Sequence, residues 1–210
     1  GNVMKNSRLL LLLPLLFPLL LSACSPLQPV KQDAPNTYAL EARFEARPHS
    51  TGAHILEVGL PRARPGYDSA RMAYVRKPHE LEYFVKNQWV DTPARMLAPI
   101  MIQAIDSSGA FRAVVGNRTG ALANWRLETE IVRLQQDFLN APSRVRFSIR
   151  AQLIDVANRR VQASRDFEAE EITPSEDPYG GVIAANRAVD RVMGELAIFC
   201  AEQIKTAPKP

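Results

Sequence analysis

Residues Gly66–Ile105 read GYDSARMAYVRKPHELEYFVKNQWVDTPARMLAPIMIQAI. This order predicts strand, turn, strand and helix. Arg71–Val75 is short, apolar and aromatic, which suits a pleated surface. Lys77-Pro78-His79 interrupts it, because proline offers no ladder donor and favours a turn. Glu80–Val85 resumes the strand pattern, with Leu81 and Tyr83 on one side and Glu80, Glu82 and Phe84 on the other. Lys86-Asn87-Gln88 is polar, and Trp89-Val90 leads into Asp91-Thr92-Pro93. A capping side chain before a proline at the first helical position is a helix start. Leu97, Ile100, Met101, Ala104 and Ile105 then recur at helical spacing. Pro99 lies inside this helix, so a kink is expected there, and Ser107-Ser108-Gly109 ends it.

The flanks extend the same pattern. Thr37–Leu40 and His54–Leu60 are strand candidates, and Phe111–Val115 is another. Trp125, Leu127, Thr129 and Ile131 alternate with polar residues, the mark of a strand buried on one face. Leu134 and Phe138 break that phase, as a bulge does. Val145, Phe147, Ile149, Ala151 and Leu153 form the clearest alternation in the chain. A turn at Asn158–Arg160 returns the chain along Val161–Glu171. Val161, Ala163, Phe167 and Ala169 then share one face, opposite Gln162, Ser164, Asp166, Glu168 and Glu170. Arg146 and Arg150 are expected across from those acids. Val182, Ala185, Val189, Val192, Leu196 and Phe199 set the apolar stripe of a last helix, about Gly181–Ile204. The expected fold is α+β: one domain, an antiparallel-rich β-sheet with two main helices packed on one face. Its expected limits are 37–205, with a disordered tail at 206–210.

The N-terminal stretch speaks of compartment. Lys5 and Arg8 precede the apolar run Leu9–Leu21, which contains Pro14 and Pro18. A bilayer span needs about 20 apolar residues, and this run is shorter. It suits the core of a secretory signal peptide at residues 1–23. Leu21-Ser22-Ala23-Cys24 has the form of a bacterial lipobox, which makes the Cys24 thiol the expected lipid attachment point, a palmitate-bearing anchor. The competing reading is a secreted chain whose Cys24 merely lies near a cleavage point. Residues 24–36 then form a proline-rich tether that reaches on the order of 35 Å when extended. Cys200, the second cysteine, has no partner once Cys24 is acylated. It reads as a small buried hydrophobe on the last helix.

Composition narrows function by exclusion. The hydrophobic fraction of 46% supports a sizeable core. The formal charge of +4 falls by two when Lys5 and Arg8 leave with the signal peptide. Acids and bases are interspersed, so nucleic acid is not an expected partner. His49, His54 and His79 lack metal-ligand spacing to a cysteine or to one another. There is no G-x-S-x-G elbow and no phosphate loop. We therefore expect no enzyme, no catalytic set, no metal and no cofactor. Tyr67, Tyr74, Tyr83, Phe84 and Trp89 cluster in one stretch. They are either strand and core packing or, where outward, interface anchors. The partner-binding candidates are Arg71, Tyr74, Arg76, Tyr83, Phe84 and Trp89.

Three segments carry a resemblance to a known family: Tyr74-Val75-Arg76, Leu81-Glu82-Tyr83-Phe84 and Trp89-Val90-Asp91. A strand ending near an arginine, a second strand with a tyrosine, then a tryptophan before the first helix resembles the ABC-type transport auxiliary lipoproteins, the PqiC/YmbA-like family. The resemblance extends over about Tyr38–Lys205. It implies the same α+β arrangement, a companion ABC permease and ATPase, and an MCE-domain protein that bridges the periplasm for lipid transport. It further implies a site at the periplasmic face of the outer membrane, and Ser25 in place of Asp after the cysteine is similar to an outer-membrane sorting signal. Homo-oligomerisation stands as an additional option. Two alternatives stand beside this reading: an envelope lipoprotein that itself binds a lipid or small hydrophobic ligand, and a structural regulator of the envelope or cell wall.

The lipobox yields a direct expectation. Two or more acyl chains anchor stably, at about 0.8 kcal/mol per buried methylene. Cys24→Ser should leave the protein unprocessed or release it from membranes, read by fractionation and immunoblot. A processed Cys24→Ser protein that still sediments with outer membrane contradicts lipidation.

Overall fold

The computed structural model describes residues 33–45, 52–117 and 122–206. The expected signal peptide, Cys24, most of the expected tether, His49 and the last four residues lie outside the described residues, as do the expectations attached to them. The described elements belong to the unit Pro35–Pro210. In chain order they are β1 (Asn36–Tyr38), β2 (Ile55–Val58), β3 (Arg62–Ala63), β4 (Arg71–Lys77), β5 (Glu80–Trp89), α1 (Pro93–Ser107), β6 (Ala113–Gly116), β7 (Trp125–Asp137), β8 (Arg144–Asp155), β9 (Arg160–Ile172) and α2 (Pro178–Thr206).

The three long strands form an antiparallel meander, β7-β8-β9. Their alternation follows the sequence pattern. Leu127, Ile131, Phe147, Ile149, Leu153 and Phe167 are buried on one face. The phase break after Ile131 is a register shift between Ile131 and Arg133, which turns Leu134 and Gln136 inward. On the other face Arg150 meets Asp166 through two hydrogen bonds, at 2.8 and 3.1 Å. Arg146 Nε lies 3.0 Å from Glu170, although its N–H is not aligned on that oxygen. Arg144 also pairs with Glu170. The expected charge ladder is therefore in place, with solvent screening keeping each exposed pair a weak contributor to stability.

The other edge of β7 departs from an antiparallel reading. Strands β2, β3 and β4 each pair with it in parallel, at Trp125–Leu127, Glu130–Ile131 and Gln135–Asp137. The sheet is mixed, with short parallel ladders and long antiparallel ones. Strand β1 adds to β5 in parallel through Asn36–Tyr38 and Asn87–Trp89. Lys86-Asn87-Gln88, polar in sequence, is thus strand, because β1 supplies ladder partners that a local reading does not contain.

Both helices cover the apolar face. Helix α1 starts at Pro93, as expected, but Thr92 caps it with its carbonyl, not its side chain. Asp91 instead accepts the Thr92 N–H at 2.7 Å and pairs with Arg95. The helix runs unbroken through Pro99, which is exposed. All six stripe residues of α2, Val182 to Phe199, are buried.

A buried polar clamp fixes the entry to α2. Gln136 Nε2 donates to Ser143 Oγ and to the Asp177 carbonyl, both at 3.2 Å. Ser143 and Thr173 hydroxyls lie 2.6 Å apart, and the Asp177 carboxylate accepts the Gly180 N–H at 2.7 Å. A Cβ at Gly181 would stand 2.3 Å from Gln136 Oε1, so a larger residue here would have to push the Gln136 amide out of its bonds to Ser143 and Asp177.

Trp89 closes β5 and is 4% exposed, in the same core as Leu97 and Met101 of α1. Trp89→Ala should lower unfolding free energy by about 3–5 kcal/mol, measured by urea denaturation. A midpoint that does not move contradicts this placement.

Candidate partner-docking surface

The hairpin β4–β5 turns at Pro78-His79, where His79 takes a left-handed conformation (φ 67°). Within it, Tyr74 pairs with Glu82 and Ala73 with Tyr83. Side chains alternate, so Tyr74, Arg76, Glu82 and Phe84 fall on one side, and Arg71, Leu81 and Tyr83 on the other.

The first side is the α2 side. Tyr74 and Phe84 rings lie 4.4 Å apart, and Phe138, from the end of β7, closes a three-ring cluster at 6.0 Å from Tyr74. The Arg76 guanidinium sits 5.3 Å from the Tyr74 ring centre. Arg76 grips Glu82 through two bonds at 3.0 and 2.6 Å, and the Tyr74 hydroxyl donates to Glu82 at 3.0 Å. These bonds, Arg76's foremost, hold the Glu82 carboxyl below its ordinary pKa. The pair is therefore charged at neutral pH. Its stabilising effect is present above the unfolded glutamate's pKa and is lost as pH falls through the lower folded value. Tyr74, Phe84 and Phe138 are half-buried, which leaves ring area facing solvent beside a fixed guanidinium.

The second side serves a different purpose. Arg71 stacks 3.8 Å over the Tyr83 ring, and Tyr83 donates its hydroxyl to the Gly66 carbonyl at 3.1 Å. Tyr67 donates to Gln135 Oε1 at 2.5 Å. Gly66 has φ 97° and sits against Leu81 and Tyr83. These contacts pin the β3–β4 loop onto the sheet.

The six candidates thus do not form one patch. Tyr74, Arg76 and Phe84 come together, Arg71 and Tyr83 lie across the sheet, and Trp89 is core. Trp89 leaves the simple alternation because β5 carries extra residues between Tyr83, opposite Ala73, and Gln88, opposite Arg71. Sequence reasoning missed Phe138 and Glu82. Phe138 was visible only as the residue that breaks the β7 pattern.

Cys200 is buried, and desolvation pushes its thiol up to about 12, so it is a packing residue. His54 packs edge-on to Trp125 at 6.4 Å. Among the described residues no group of three His, Cys, Asp or Glu side chains could hold a metal ion, and no helix is long and apolar enough to cross a membrane.

Comparison with known proteins follows the same lines. No curated protein matches the chain. The structure of protein XCC0632 from Xanthomonas campestris aligns with a TM-score of 0.73 at 23% identity, covering 81% of this chain and 97% of that one. The hypothetical protein CT253 from Chlamydia trachomatis aligns with a TM-score of 0.51 at 9% identity, covering 73% and 99%. These likenesses establish the fold. Residues 38–197 match the family described as ABC-type transport auxiliary lipoprotein component. The chain belongs to the ABC-type transport auxiliary lipoprotein family.

Proposed function

We propose that this protein is the outer-membrane accessory of an ABC transport system for lipids and works by docking, not by chemistry. The family match over residues 38–197 carries the reading. Lipidated Cys24 anchors it at the periplasmic face, consistent with the lipobox and with Ser25. The tether sets the height at which the folded unit meets its partner. That partner is a periplasm-spanning MCE-domain protein, itself joined to an ABC permease and ATPase. Tyr74, Phe84, Phe138 and Arg76 supply the docking face, since half-buried aromatics beside arginine are the usual anchors of such contacts.

Holding a lipid inside the domain is the weaker reading. The apolar crevice beneath Phe84 and Trp89 has space for about 10 Å³, room for about one water molecule. An acyl chain needs far more, and the roomier cavity between α1 and α2, about 400 Å³ beside Ala104, Ala197 and Ile198, lies open at the surface.

Tyr74→Ala with Phe138→Ala should reduce co-purification of the MCE-domain protein at least about tenfold while circular dichroism still shows a folded domain, as expected for interface anchors. Arg71→Ala, across the sheet, should leave capture unchanged. Cutting the tether to three or four residues should weaken function without unfolding the domain. A wild-type protein that captures no MCE-domain protein, even from crosslinked cells, contradicts the proposal.

A further inference from the structure

Strand β9 is the last strand of its meander, and among the described residues only β8 pairs with it. Its register with β8 is unbroken from Ala163 to Ile172, and this stretch contains no proline. One edge of backbone N–H and C=O groups is therefore open from Ala163 to Ile172, without the proline or mid-strand bulge that commonly blunts an edge.

The lip of that edge is acidic. Asp166, Glu168 and Glu170 alternate along its outer face. Each is held from the inner side only: Asp166 by Arg150, Glu168 by Arg133, Glu170 by Arg144 and Arg146. Asp166 and Glu168 side chains are 66% and 56% exposed, so carboxylate surface faces the next strand position. The opposite face of the same edge carries Ala163 with the buried Phe167 and Ala169, and between them Arg165, stacked over the Phe167 ring, and Glu171, paired with Arg191 of α2.

We infer that β9 accepts an extended segment of a partner protein in which lysine or arginine alternates with apolar residues. Main-chain bonds would extend the sheet. The basic side chains would continue the arginine–carboxylate rows across one more strand, and the uncharged ones between them would fall on the α2 side, where a further cation would meet Arg165. Charge decides between occupants. A second copy paired two-fold about the acidic row sets Asp166, Glu168 and Glu170 against their own equivalents, which like-charge pairing disfavours.

The test uses the full chain in mild detergent with two synthetic peptides, Lys-Val-Lys-Val-Lys-Val-Lys and Glu-Val-Glu-Val-Glu-Val-Glu. Hydrogen exchange of the β9 amides is the readout. The lysine peptide should slow exchange between Ala163 and Ile172 at low salt, and the glutamate peptide should not. Neutralising the lip with Asp166→Asn, Glu168→Gln and Glu170→Gln should weaken the lysine peptide about tenfold, and N-methylation of its alternate amides should abolish binding. Equal protection by both peptides overturns the proposal, as does none by either. So does β9 protection without peptide that rises with protein concentration, which identifies a second copy as the occupant.

Discussion

Strand β7 gives one edge to β8 along nearly its whole length and divides the other among β2, β3 and β4. Three short strands are thereby laid end to end against one long one. Each brings its own attachment: β2 carries β6, β3 leads into the pinned Tyr67 loop, and β4 carries β5 with β1. The long antiparallel side supplies most of the apolar floor, and α2 lies across it. The register shift after Ile131 reconciles the two sides, because it turns Leu134 and Gln136 toward α2. Gln136 then anchors the chain at Ser143 and Asp177, and Gly181 makes the close approach feasible. Hydrophobic burial drives the assembly, but this hydrogen-bonded clamp sets where the helix begins.

The β4–β5 hairpin gains its two faces from the same arrangement. One side is consumed in holding the β3–β4 loop through Tyr83 and Tyr67. The other keeps Tyr74, Phe84 and Phe138 together because β4 and the end of β7 are neighbours. Arg76 and Glu82 neutralise each other there, so the face is aromatic with a fixed, satisfied charge pair. Such a surface is cheap to desolvate compared with a free charge, which suits it to a partner.

Much of this was legible in the sequence, for identifiable reasons. The alternations at Val145–Leu153 and Val161–Ala169 and the α2 stripe are local periodicities tied to burial, and the structure keeps those inward residues on the apolar side except Val161, which the register shift between Leu153 and Ile154 turns outward, to 54% exposed. The break at Leu134 signalled the bulge, and Arg146 and Arg150 meet the acids expected of them. The parallel pairings were not legible, because they join residues far apart whose registers leave no local trace. Arg62-Ala63 is too short to show any pattern. The docking cluster was half legible: Arg71 and Tyr74 are three residues apart on one strand, which already puts them on opposite faces, whereas the extra residues in β5 that send Trp89 inward have no sequence mark. Phe138 joins only through the sheet.

The central claim is that the Tyr74–Phe84–Phe138 side of the hairpin meets the transport partner. A photocrosslinking amino acid at position 138, in living cells, tests it most directly, with one at position 71 as the counterpart across the sheet. The account predicts a crosslink from position 138 to the proposed periplasm-spanning partner and none from position 71. A crosslink to that partner from position 71 alone, or from neither position, would contradict it.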